Sequence, residues 1–455
     1  MSTTLWSSCA LLPGGWARDV TVKINADGRI ASVAADTAQS GQRKGILLPA
    51  PVNAHSHSFQ RAMAGLTERR GPDPRDSFWT WRRLMYRFLD RLDPGQVEAI
   101  TALVQMEMLE AGFATNVEFH YLHHQPGGAP YDDLSEMGQR IAAAAGQTGI
   151  GLTLLPVHYQ YGGCGRSPLG PGQQRFGTDL EQFARLVAES RSALATLPPD
   201  TGLGLAPHSL RAIDPANLDA LRALAGGGVV HMHLAEQVAE VEEVQAALGA
   251  RPVEWLLANA EPDARWCLIH CTQMLPHETV ALARSGAIAG LCPITEASLG
   301  DGIFDGVRWF EAGGRIAIGS DSNIRISLSE ELRQLEYSQR LRDRSRAALA
   351  APEASTGRRL FESASRGGAT AAGRSCGSIA EGQWADLLSL DPCHIDLEGL
   401  EGDTLLDSFV FAGDRGMISD VWSAGRHMVR EGRHIARDEI TSAYGRAARQ
   451  LRGLL

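Results

Sequence analysis

The chain has no run of about 20 consecutive apolar residues, so nothing in it is long enough to cross a bilayer as a helix. Its opening residues, M-S-T-T-L-W-S-S, lack the basic start and apolar middle of a secretory signal, and the expected compartment is the cytoplasm. Cysteine is scarce. Seven thiols, an odd number, are scattered over 455 residues from Cys9 to Cys393, which excludes a dense disulfide framework and reads as reduced. Positive charge is in deficit, with 43 Lys and Arg against 53 Asp and Glu and a net charge of −10, so no concentrated basic surface is offered to nucleic acid. The signatures of nucleotide-cofactor binding are missing: there is no G-x-x-x-x-G-K-[ST] and no G-x-G-x-x-G. Also absent are H-E-x-x-H and the P-C-x-x-C of small zinc deaminases. One G-x-S-x-G occurs, at Gly373–Gly377, but it follows an Ala-rich helical stretch and precedes a strand, the reverse of the context a nucleophilic serine requires.

What is present is an ordinary globular composition, 44% hydrophobic and 21% charged, with strands and helices in alternation. Eight apolar, Gly-bounded segments read as buried strands, at about 45–57, 114–121, 149–159, 201–210, 227–236, 266–273, 286–295 and 313–322. Helical patterns lie between them, including Pro94 to Ala111, Asp179 to Ala195, Ala216 to Leu224, Val238 to Leu248 and Pro276 to Arg284. Alternation of this kind implies parallel βαβ units, and eight of them predict an α/β fold, a (β/α)8 TIM-like barrel over residues 48–373. The flanks read as short strands, with a hairpin at Ala26-Asp27-Gly28 and an Ala-Gly-Arg turn near 425. Neither flank is large enough for its own core. Residues 1–47 and 374–455 are therefore expected to pair into one small β-sandwich domain, closed by an amphipathic helix from about Glu439 to Leu455.

The strand ends carry the ionisable residues: His55 and His57, His120 and Tyr121, His158, His208, His233 and Glu236, His270, Thr295 and Glu296, and Asp321. In a barrel these ends form one rim, where distant segments converge. His55 and His57, at i and i+2 on a strand, can turn both imidazoles toward one ion. A third His on another strand and a carboxylate on the last would complete a set suited to zinc, and His233 and Asp321 are the candidates. Asp321 alone would equally suit a helix N-cap. His231 lies one pleat deeper than His233 and reads as core. Glu236 is placed to shuttle a proton beside the ion without binding it. His270 is the rim residue of Cys267-Leu-Ile-His270-Cys271, whose two thiols face the other way.

These residues resemble the amidohydrolase superfamily and, within it, the formimidoylglutamate deiminase family. The resemblance rests on N-A-H-S-H-S-F-Q-R-A-M-A-G-L (53–66), D-S-F-W-T-W-R (76–82), E-F-H-Y (118–121), P-H-S-L-R-A (207–212) and H-M-H-L-A-E-Q (231–237). It continues in R-W-C-L-I-H (265–270), T-E-A-S-L-G-D-G-I-F (295–304), G-S-D-S (319–322) and E-E-L-R-Q-L-E-Y-S-Q-R-L-R-D-R (330–344). It implies one divalent metal, zinc, held by His55, His57, His233 and Asp321. Strand four ends in Pro207-His208-Ser209, without the carboxylated Lys or Glu that bridges two metals in relatives. It further implies hydrolytic deimination of N-formimino-L-glutamate to N-formyl-L-glutamate and ammonia, as part of histidine degradation. Asp321 and His270 would take the proton of an activated water, and Glu236 would deliver it to the imino nitrogen. A dianionic substrate needs local cations in an acidic protein, and Arg82 and Arg211 match substrate positions of the family. Gln60, Tyr121 and His208 match further contact positions, and the resemblance implies a homodimer. Asn323 and Gln273 depart from the family, which carries His at both. The rival reading is another deaminase of the superfamily, acting on guanine, an aminopurine or a guanidino compound, for which the two arginines would scarcely matter.

Overall fold

A computed structural model describes residues 2–68 and 78–453. Asp76 and Ser77 of the quoted 76–82 string, and the last two residues of the expected closing helix, lie outside the described residues. The strands of the curled parallel sheet are Val52–Ser56, Thr115–His120, Gly151–His158, a fourth split into Gly202–Leu203 and Ala206–Pro207, then Val230–Leu234, Trp266–His270, Ile288–Leu291 and Arg315–Ile318. Each pairs with its sequence neighbour in parallel, and the eighth pairs with the first through Ile318 and Asn53. The other seam, between fourth and fifth strands, is drawn together by a Leu205–Val230 bridge and by His233 N–H donating to His208 O at 3.0 Å. Nearly every strand residue is buried, because helices cover the outside of the curled sheet and side chains fill the inside.

All eight expected strands are shorter than the hydrophobic pattern alone predicts, and in two of them a proline sets the limit. The 45–57 segment is two strands: Gln42–Pro49 belongs to the terminal sheet, and the barrel strand begins at Val52, after Pro51 has broken the ladder. The 286–295 segment ends as strand at Leu291, because Pro293 opens a helix, Pro293–Leu299, that carries Thr295 and Glu296. The Pro94–Glu110 helix starts where the sequence caps it. Asp93 accepts from Gln96 N–H at 2.8 Å while the Gln96 side chain accepts from Asp93 N–H at 3.2 Å, a capping box with Pro94 just inside. The closing helix spans Arg437–Arg452.

Both chain ends build one eight-stranded sheet, in which Leu387–Leu390 runs antiparallel to Gln42–Pro49 and joins the C-terminal strands to Thr3–Leu12, Gly15–Ile24 and Ile30–Ala34. Leu5, Val22 and Leu47 from one end pack with Leu387 and Trp422 from the other. The two hairpin turns meet tip to tip. A Cβ on Gly28 (φ +89°) would sit 2.2 Å from Ala424 O, so only glycine permits this approach.

A buried charge cluster ties this sheet to the curled parallel one. Arg374, in the sequence turn that resembled a nucleophile motif, donates to Asp386 at 2.7 and 2.9 Å and to Asp200 at 2.9 Å. Arg426 adds two bonds to Asp200, at 2.8 and 2.7 Å. Although burial opposes ionisation, Arg426 and Arg374 hold the Asp200 carboxyl below its usual range. Removing one partner strands a buried carboxylate, so Arg374→Met is expected to lower unfolding stability by about 3–5 kcal/mol. Urea unfolding at neutral pH measures this, and a loss under about 1 kcal/mol would refute the assignment. Among the described residues no helix is long and apolar enough to cross a membrane.

Candidate active site

His55 lies in the first strand, and His57 falls one residue past it, at the start of the Ser58–Met63 turn. Their rings nonetheless stand edge to face with centroids 4.6 Å apart, and the His233 ring lies 4.9 Å from His55. Backbone carbonyls orient two of the three: His57 Nδ1 bonds Phe119 O at 2.9 Å and His233 Nδ1 bonds His208 O at 3.2 Å. Each bond takes the Nδ1 proton and leaves the Nε2 lone pair free to bind a cation. His55 is fully buried, and neither of its ring nitrogens has a hydrogen-bond partner. Burying two unpaired polar atoms is unfavourable unless a ligand satisfies one of them. Ligating atoms of His55, His57 and His233 lie within 4.8 Å of one another.

Asp321 closes this group from the eighth strand, its Oδ1 3.3 Å from His57 Nε2 and 3.6 Å from His55 Nε2. A tetrahedral ion with bonds of about 2.0–2.1 Å separates its ligand atoms by roughly 3.3 Å, so the spacings of Asp321 from His57 and His55 match those around a zinc-like cation. Close approach of the two strands depends on Gly319, where a Cβ would meet the His55 backbone at 2.7 Å. The loop is pinned by Asp321 N–H to His55 O and His57 N–H to Asp321 O, both 2.9 Å. Asn323, the departure from the family pattern, accepts from Ser320 Oγ at 2.6 Å and donates to Ser56 Oγ at 3.1 Å and Asp321 O at 2.8 Å. Gln273, the other departure, donates to Asp301 O. Both side chains hold loops, and neither lines the cavity described below.

Burial depresses the imidazoles: His55 and His233 fall well below their usual range and His57 to about 3, which keeps all three in the neutral, ligating form. His270 behaves oppositely. Burial would lower it, but Glu236, Glu296 and Asp321 together hold it at about 10. Its Nδ1 meets Glu296 Oε1 at 3.2 Å, while Nε2 lies 3.9 Å from Asp321 Oδ2 and 4.0 Å from Glu236 Oε1. Burial pushes Asp321 up to about 7, against the opposing pull of His270. Glu236 is fixed through its backbone, N–H to Glu240 Oε2 at 2.8 Å and O from Thr272 Oγ1 at 2.7 Å. Ala235, His270 and Asp321, at the ends of three strands, have φ of +51°, +71° and +44°. Such backbone costs about 1–3 kcal/mol each and here turns three chain segments toward one point.

A half-open cavity faces this cluster. His57, His233, Glu236, His270 and Asp321 line it together with Gln60, Arg82, Tyr121, His208 and Arg211, and His55 lies beneath. Every site residue expected from the sequence is thus brought to one place. Gln60 Nε2 donates to Tyr121 OH at 3.0 Å; Arg82 donates to Tyr159 OH at 2.9 Å; Arg211 Nε stands 4.0 Å from Glu243. Sequence reasoning missed the apolar walls, Trp81, Met85, Tyr159, Phe176 and Leu299. Tyr159 could have been found by alternation. It follows His158, whose Nδ1 turns away to Thr178 Oγ1 at 3.1 Å, just as Tyr121 takes the cavity side while the His120 ring packs 5.0 Å from His123. His231 is core, its Nε2 on Ala371 O at 2.8 Å.

Comparison with known proteins agrees with this geometry. Residues 46–428 match the amidohydrolase family, and residues 3–45 match the N-terminal domain of formimidoylglutamate deiminase HutF. The chain is 47% identical to a formimidoylglutamate deiminase of Pseudomonas aeruginosa, over 97% of this chain and 98% of that one. It is 29% identical to an 8-oxoguanine deaminase of the same organism, over 83% and 82%. A crystal structure of an amidohydrolase from Brucella melitensis superposes with a TM-score of 0.94 at 48% identity, covering 99% of both chains. A zinc-bound adenosine deaminase from Xanthomonas campestris, 22% identical over 99% of this chain and 98% of that one, shares the fold with a TM-score of 0.81. With a histidine cluster and an acid on the rim of a curled parallel sheet, and relatives matched along nearly its whole length, the chain belongs to the amidohydrolase family and, within it, to the formimidoylglutamate deiminases.

Proposed function

We propose that the protein hydrolyses N-formimino-L-glutamate to N-formyl-L-glutamate and ammonia, a step of histidine degradation. The observation that carries this reading is one cavity lined both by the Glu236, His270 and Asp321 cluster and by two arginines, Arg82 and Arg211. A small dianion needs that pairing: planar guanidinium groups for its carboxylates, and an acid–base cluster for its imino carbon. His55, His57, His233 and Asp321 would hold one divalent cation, zinc. When bound, it supplies a Lewis acid that brings the pKa of a water toward 7. Asp321, with His270 beside it, would accept the proton of the attacking water. Glu236 carries a proton to the imino nitrogen, so that the departing group is ammonia. Arg82 and Arg211 bind the carboxylates, and Gln60, Tyr121 and His208 border the formimino end. Tyr159 steadies Arg82 and Glu243 steadies Arg211.

The same reading takes the barrel as closed, with residues 48–373 as the catalytic unit. Residues 1–47 and 374–455 form a sandwich-like small domain, supported by the apolar core they share. It also takes the working form as a homodimer in the cytoplasm; the free state of all seven cysteines supports a reducing compartment.

Ammonia release from N-formimino-L-glutamate, assayed beside guanine and a guanidino acid, tests the substrate. The 8-oxoguanine deaminase relative makes a purine the reading to beat. Arg82→Ala or Arg211→Ala is expected to raise KM by roughly 10²-fold with a smaller change in kcat, since losing one partner of a buried charge pair costs about 2–5 kcal/mol. A purine substrate would be nearly indifferent to either change.

A further inference from the structure

A thiol faces the same carboxylate from inside the barrel. Cys292, one residue beyond the seventh strand, is fully buried among Ala54, Ile269 and Ala317. Its Sγ, an Asp321 carboxylate oxygen and a His270 ring nitrogen lie within 4.8 Å of one another. Asp321 is two-sided: Oδ1 faces His57 Nε2 at 3.3 Å, and Oδ2 faces His270 Nε2 at 3.9 Å. One oxygen therefore serves the three-histidine group, and the other points toward His270.

We propose that His270, Cys292 and Asp321 form a second, inhibitory cation site, selective for thiophilic divalent ions such as zinc or cadmium, that shares Asp321 with the first. A sulfur, nitrogen and oxygen donor set suits zinc and its soft relatives and excludes magnesium and calcium, which take oxygen. Ions joined by a common carboxylate stand about 3.5–4 Å apart, a spacing that a two-sided Asp321 provides. Binding displaces two protons to solvent, that of the Cys292 thiol and that on His270 Nε2, while Nδ1 keeps its proton for Glu296, and nothing is oxidised or reduced. Occupation engages His270 and Asp321 together and removes both from proton transfer. That inhibitory consequence rests on the deiminase reading above, whereas the binding itself does not.

The test uses full-length protein carrying one zinc per chain. Added zinc should bring the wild type to two ions per chain by elemental analysis after desalting, while Cys292→Ala and Cys292→Ser remain at one. Added cadmium should produce a thiolate-to-metal ultraviolet band in the wild type, and the difference spectrum against Cys292→Ala should hold one thiolate. Zinc beyond one equivalent should stop ammonia release by the wild type and spare Cys292→Ala, whose turnover without excess metal is unchanged. A wild type that stays at one ion, or a Cys292→Ala protein that still takes the second, overturns the site. Should no candidate substrate be turned over at all, the deiminase reading falls while the stoichiometry and spectrum still decide the site.

Discussion

Stripping the cation with a chelator, or replacing His55 with Ala, is expected to lower kcat/KM by about 10⁴-fold or more, because water with a pKa of 15.7 must then replace water near 7. Zinc returned to the stripped wild type should restore activity; zinc given to His55→Ala should not. Metal analysis beside steady-state rates separates the two cases. His55 is the sharpest choice because it is fully buried and both its ring nitrogens are unpartnered, so its side chain has no other polar role. Full turnover by metal-free protein would remove the basis of the proposed chemistry.

The second large effect belongs to Glu236. Changing it to Gln keeps the size and the backbone bonds to Glu240 and Thr272 but removes the proposed proton carrier. Positioned acid–base groups contribute about 10²–10⁴-fold, so kcat is expected to fall by that range, with metal content and KM nearly unchanged. Metal lost along with the rate would instead make Glu236 a ligand, and an unaltered kcat would deny it any chemical part.

The strand ends were legible in the sequence because a strand that is buried along its length and then ends in an ionisable side chain has no packing reason to do so. That signal located His55, His57, His208, His233, His270 and Asp321 from composition and order alone. It overreached at His120 and His158, which occupy the same rim but lie on the wrong side of the pleat, and only the alternation with Tyr121 and Tyr159 sorts them. Boundaries were less legible. The hydrophobic run over 45–57 reads as one strand, although Pro51 divides it between two sheets. The apolar walls carried no signal, since Met85, Phe176 and Leu299 look like any core residue until the cavity is seen. Cys292 was equally silent, for a lone buried thiol becomes interesting only beside His270 and Asp321.

The site straddles the junction of the first and eighth strands, where Asn53 and Ser320 bond across 267 positions of sequence. A growing polypeptide therefore carries His55 and His57 long before their fourth companion exists. On the proposed ligand set, no N-terminal fragment ending short of Asp321 carries all four donors, so a partly made chain is poorly equipped to capture the ion. Loading by the proposed set of four thus waits until synthesis has passed Asp321, and a product interrupted before that point should be inert.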